Sequence, residues 1–274
     1  MTGLLAALLL IVAYVGLVRW IEANSAFFPS REIHTTPAKA GVPFEEVAFP
    51  SLDGTRLAGW WMEGETGLPA VVWCHGNAGN ISDRVHLAAE LHRRGVPILL
   101  FDYRGYGRSE GTPDEQGVVE DAASAVAWLR ARFPGRPVVL LGRSLGAGAA
   151  SNAAVLLQDQ GRPPEALILL SPFVSVPAMA RAVYPYLPAG PILRYRFDNA
   201  AAVRSWRGPL LVIAAPADEV VPFAQSRAVF DASASSGKQK VEVRGGHNDC
   251  ELLDPETFYG AIETSLRQHA TKPL

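Results

Sequence analysis

A serine hydroxyl becomes a useful nucleophile only when a base takes its proton, a third group orients that base, and donors await the developing oxyanion. This chain of 274 residues offers a candidate for each part. Gly142-Arg143-Ser144-Leu145-Gly146 fits the G-x-S-x-G pattern, whose glycines permit a strained turn that presents the hydroxyl. The bare pattern also fits a serine that merely caps a helix, so context decides. Here an apolar run at 138–141 precedes Ser144, and a small-residue helix start (Gly146, Ala147, Gly148, Ala149, Ala150) follows it. Asp218 lies in Pro216-Ala217-Asp218-Glu219-Val220-Val221-Pro222, just beyond another apolar run, with Glu219 beside it as a rival orienter. His247 stands in Gly245-Gly246-His247-Asn248-Asp249, where paired glycines allow a turn that presents an imidazole. His34, His86, His92 and His269 read as solvated, and His75 remains as a rival base.

The elements that must position these residues are legible as alternating patterns. Residues 70–74, 98–101, 138–141, 167–170 and 210–213 are continuous apolar runs, the mark of strands covered on both faces. Between and after them, 83–94, 115–133, 145–158, 224–234 and 256–269 carry apolar residues at helical spacing. That alternation predicts a mostly parallel sheet with helices on both faces, and ligands gathering at the carboxyl ends of its strands. Before it, 44–49 and 57–62 flank Asp53-Gly54, which predicts an antiparallel hairpin at the entry to the sheet. The segment 172–206 breaks the rhythm with prolines and aromatics, and reads as a lid or cap.

Composition narrows the function. A formal net charge of -2 offers no field for nucleic acid, and 49% hydrophobic residues exclude a disordered chain. Two cysteines, Cys74 and Cys250, make neither a disulfide framework nor a zinc motif, and read as buried thiols. Residues 1–18 carry no charged side chain, and with Trp20 and Ile21 the run reaches the ~20 residues that cross a bilayer. A single-pass membrane anchor at 1–23 is the first expectation, with a cleaved signal peptide as the alternative. Residues 24–43 follow as a proline-containing linker, and the main domain extends over 44–274.

From about Phe44 onward these motifs resemble the α/β-hydrolase superfamily, most closely the membrane-anchored branch similar to prolyl-oligopeptidase-like and serine-aminopeptidase-like hydrolases. The likeness rests on the 75–80 loop His-Gly-Asn-Ala-Gly-Asn, the 101–111 run from Phe101 through Arg104 to Gly111, the Ser144 turn, the Asp218 loop and Gly246-His247-Asn248-Asp249. Ala215-Pro216 departs from the His-Gly that relatives often carry before the acid. The resemblance implies an α/β-hydrolase fold, with Ser144 as nucleophile, Asp218 as acid and His247 as base, in that chain order. It leaves His75 to orient its loop, and assigns the oxyanion hole to the backbone N–H groups of Asn77 and Leu145. The implied reaction is transfer of an acyl group from an ester or thioester to water, with a small-molecule or lipid-like substrate and no metal or organic cofactor. A serine peptidase is the alternative within enzymes, and a non-catalytic membrane-tethered binding protein on the same fold is the alternative outside them.

Overall fold

The computed structural model describes residues 2–270. In chain order the strands are β1 (Phe28–Pro29), β2 (Glu45–Pro50), β3 (Arg56–Met62), β4 (Ala70–Cys74), β5 (Ala78–Gly79), β6 (Ile98–Asp102), β7 (Val138–Arg143), β8 (Ala166–Leu170), β9 (Leu210–Ala214) and β10 (Lys238–Glu242). The α-helices are α1 (Thr2–Ala23), α2 (Val85–Arg93), α3 (Glu115–Arg132), α4 (Leu145–Asp159), α5 (Val176–Val183), α6 (Asn199–Ser205), α7 (Phe223–Ala232), α8 (Cys250–Leu253) and α9 (Pro255–Gln268).

Apolar side chains that alternate across a strand need cover on both faces, and the sheet provides it. Eight strands pair in the order β10-β9-β8-β7-β4-β6-β3-β2. β2 with β3 and β3 with β6 are antiparallel, while every other pairing is parallel. One face packs against α3, α4, α6 and α7 through residues such as Val126, Ala150, Val203 and Val229. The other packs against α2 and α9 through Leu87, Leu91, Phe258 and Ile262. This is the α/β-hydrolase architecture, a mostly parallel sheet between two helical layers. Its central strands β4, β6, β7 and β8 are buried along their whole length. At about 1.5–3 kcal/mol for each fully buried large aliphatic side chain, they form the stable platform on which the loops stand.

Helix starts follow their caps. Asp114 accepts from the Gly117 N–H at the start of α3, and Ser175 accepts from the Ala178 N–H at the start of α5. The expected helix at 83–94 begins instead as a 3-10 turn, Ile81–Arg84, because Asn80 and Asp83 cap each other's backbone reciprocally. The segment 24–43 is stitched down. Phe28 and Ser30 donate to the carbonyls of Asn77 and Gly79, and the Asn80 side chain donates to the Ser30 and Glu32 carbonyls.

Among the described residues, one helix is long and apolar enough to cross a membrane, Gly3–Ala23 within α1. Most of it projects from the domain with apolar side chains on all sides, whereas Val18 and Glu22 near its end are buried.

Candidate active site

Ser144 sits where β7 turns abruptly into α4. Its backbone adopts φ 55, ψ -118, a conformation that costs an L-residue roughly 1–3 kcal/mol and persists only where neighbours enforce it. The neighbours are visible. The Ser144 N–H continues the ladder to the Leu170 carbonyl at 3.0 Å, and its carbonyl takes the Ala147 N–H at 2.9 Å. A Cβ at Gly142 would stand 2.2 Å from the Gly146 carbonyl oxygen, and one at Gly146 only 2.0 Å from the Cys74 oxygen. Both glycines of the motif are therefore required by packing, and Ser144 is left half-buried at the carboxyl end of the sheet.

Asp218 and His247 meet there, from the loops after the paired strands β9 and β10. His247 Nδ1 lies 2.8 Å from Asp218 Oδ2. The other carboxylate oxygen accepts the N–H groups of Val220 at 2.9 Å and Val221 at 2.7 Å. Burial pushes the carboxyl upward, but the hydrogen bonds from His247, Val221 and Ser171 outweigh it and hold Asp218 below its ordinary value. An ionised carboxylate can only accept, so the proton of neutral His247 resides on Nδ1 and Nε2 carries the lone pair. Glu219, the rival acid, takes a different part, accepting the His247 backbone N–H at 3.0 Å. Gly245, at φ 108, provides the left-handed turn before the histidine.

Three residues near this arrangement were not legible as participants. Arg143, the x before Ser144, is buried and donates to the His247 carbonyl. It also forks onto Glu251 of α8, at 3.0 and 3.3 Å. The peptide that carries Ser144 is thereby tied to the loop that carries His247. Ser171, at φ 46, is buried beside the acid loop. The only sequence signal for the first two was a pair of opposite charges 108 positions apart.

Leu145 opens α4, so its N–H belongs to the first-turn donors that no intrahelical carbonyl can use. The Asn77 carbonyl accepts from the Phe28 N–H at 2.9 Å and the Tyr106 hydroxyl at 2.8 Å, which pins the 75–80 loop. Asn77, Ser144 and Leu145 line one cavity of about 270 Å³, together with Phe173, Val221 and apolar side chains of the 172–206 segment. His75 lies elsewhere, fully buried, with Nδ1 2.7 Å from the Gly76 carbonyl and Nε2 3.7 Å from Asp102. Burial, then the Arg84 charge, pushes it down to about 3, so near neutrality it stays a neutral imidazole too weakly basic to take up a second proton. Arg104 braces the adjoining turn, with its guanidinium on Asp121 at 2.8 Å and Asp53 at 2.9 Å.

A family model described as "Serine aminopeptidase, S33" matches residues 68–195. The chain is 38% identical over 273 residues to an uncharacterized protein of Mycobacterium tuberculosis, MT2364, with 95% of each chain covered. It is 37% identical over 183 residues to lysophosphatidylserine lipase ABHD12 of Danio rerio, covering 61% of this chain and 48% of that one. The chain thus spans about half the length of that relative. Among solved structures it is similar to an esterase of Pyrococcus furiosus, at a TM-score of 0.73 and 18% identity, covering 89% of this chain and 97% of that one, a likeness of fold.

Proposed function

The chain belongs to the α/β-hydrolase superfamily, and from that premise we propose that it is a serine hydrolase that cleaves esters or thioesters of acyl chains at a membrane. The observation that carries this reading is the 2.8 Å contact between His247 Nδ1 and Asp218, joined through Arg143 to the turn that presents Ser144. His247 Nε2 takes the Ser144 proton as the hydroxyl attacks the acyl carbon. Asp218 stabilises the imidazolium, and the N–H groups of Asn77 and Leu145 receive the charge on the tetrahedral oxygen. The imidazolium then protonates the leaving group. Water, deprotonated by the same histidine, releases the acid and restores Ser144.

An acyl or lipid-like substrate is supported by the apolar cavity beside Ser144 and by the lysophosphatidylserine lipase relative. The description of the family model points instead to an aminopeptidase, whose substrate has a cationic amino terminus that a free carboxylate in the cavity would pair. The carboxylate that lines this cavity, Glu22, is already engaged by the Arg194 and Tyr195 amides and by Arg19. To the same proposal belongs the division into an anchor at 1–23, a linker at 24–43 and a hydrolase domain at 44–274 with 172–206 as its lid.

Hydrolysis of p-nitrophenyl butyrate, an acyl thioester and an aminopeptidase anilide by wild type and Ser144→Ala tests the reading. Turnover of the acyl substrates that disappears in Ser144→Ala is expected. Acyl turnover that survives the substitution, or turnover of the anilide alone, would overturn it.

A further inference from the structure

The cavity beside Ser144 has a wall from an unexpected source. Along most of α1 the apolar side chains face outward, with Leu4 80% and Leu10 72% exposed. Toward its end one face turns inward. Tyr14, Val18, Ile21 and Glu22, spaced three and four apart, fall on one side of the helix. Val18 is 1% exposed and packs with Ala189 and Leu193 of the lid. Val18, Ile21 and Glu22 also line the cavity that contains Ser144 and Leu145.

Glu22 fastens this wall in place. Its Oε1 accepts the backbone N–H groups of Arg194 at 2.6 Å and Tyr195 at 2.8 Å, and its Oε2 accepts from Arg19 at 3.0 Å. A carboxylate buried to 7% exposure is costly unless its oxygens are satisfied, and here they hold the lid backbone. Met179, Ala180 and Val183 of α5 also line the cavity, and Ala180 packs against the cluster that holds Val18. Exposed Val183 and Tyr184 of the lid continue the apolar character of the helix onto the cavity's rim.

The geometry points to the end of α1 as the specificity-determining wall of an acyl-chain site, with Val18 and Ile21 setting the chain length accepted and Glu22 fixing the lid against them. The inference rests on the serine-hydrolase reading and deepens it. The helix that enters the bilayer is then also part of the binding site, and a single acyl chain leaving the bilayer along α1 meets the cavity directly. The substrate class is a single-chain acyl ester whose chain reaches from Ser144 to Val18 and Ile21.

The test uses the full chain in phosphatidylcholine vesicles, with p-nitrophenyl butyrate and p-nitrophenyl dodecanoate as probes. The readout is the dodecanoate-to-butyrate ratio of kcat/KM. Val18→Trp fills the site and lowers the ratio about tenfold, the scale on which apolar pockets discriminate by small groups. Val18→Ala enlarges it and raises the ratio about threefold, and this variant decides the matter should the tryptophan prevent folding. Glu22→Ala frees the lid and lowers the ratio, whereas Glu22→Gln, which still accepts from both amides, restores most of it. A ratio equal to wild type in Val18→Ala and Glu22→Ala overturns the inference while leaving the serine chemistry intact. Absence of fluorophosphonate labelling in wild type overturns both.

Discussion

Two histidine–aspartate pairs stand at the carboxyl ends of neighbouring parallel strands in this molecule, and they differ in almost every property that matters for chemistry. His247 and Asp218 follow β10 and β9, while His75 and Asp102 follow β4 and end β6. Exposure does not separate the acids, whose side chains are 2% and 1% exposed. Their donors do. Asp218 receives His247 and two amides at hydrogen-bond distance and is held low. Asp102 receives the Ile81 N–H on one oxygen, while the other has no hydrogen-bond partner among the described residues. Burial therefore prevails and raises Asp102 to about 7. Its histidine, 3.7 Å away, is beyond hydrogen-bond range and already donates to Gly76. The donors around Asp218 hold it ionised, whereas Asp102 keeps its proton up to about pH 7. Residue types alone do not make a relay; the donors around the carboxylate do.

The largest effect that would break this contrast concerns the bases. His247→Ala is expected to lower kcat for p-nitrophenyl butyrate about a millionfold, as loss of a triad histidine does elsewhere. His75→Ala leaves a hole beside Tyr103 and Tyr106. It should cost about 3 kcal/mol of stability in urea unfolding, with kcat of the folded enzyme within about tenfold of wild type. Equal losses of kcat in both variants would erase the distinction.

Next come the acids. Asp218→Asn frees the imidazole to adopt the wrong tautomer and should lower kcat about ten-thousandfold. Asp102→Asn, replacing a carboxyl that keeps its proton up to about pH 7 in the fold, should lower it less than about tenfold. Steady-state kinetics on both variants decides.

The smallest effect lies in stability against pH. His75 drops from an ordinary 6.5 to about 3, so the unfolded chain binds a proton there that the fold does not, and stability falls as pH drops below about 6.5. Asp102 rises from 3.8 to about 7. The fold keeps that proton and stability falls as pH rises from about 4 toward 7. Between about pH 4 and 6.5 the two slopes cancel, because folded and unfolded pairs hold the same number of protons. Asp102→Asn removes one side of the balance. Relative to wild type, its urea-unfolding free energy should decline by about 1 kcal/mol for each unit of acidification in that window. Parallel curves for the two proteins would show that the buried pair is not neutral.

Strands and the three parts of the candidate site stand out in the sequence because each has a local signature. β4 and β7 are uninterrupted apolar runs, and Ser144, Asp218 and His247 each follow a strand in a glycine- or proline-marked turn. What sequence pattern missed is held by contacts distant in the chain. Arg143 reaches Glu251 across 108 positions, and Glu22 reaches Arg194 across 172. Neither pairing leaves a periodic trace. In the 172–206 segment, five prolines obscured α5 and α6, although Ser175 followed by Pro177 is an orthodox helix start.

The most direct test of the central claim is to treat the full chain with a fluorophosphonate and map the adduct by peptide mass spectrometry. A single adduct on Ser144, absent in Ser144→Ala and strongly slowed in His247→Ala but not in His75→Ala, is the predicted result. An adduct on another residue, or none, would contradict it.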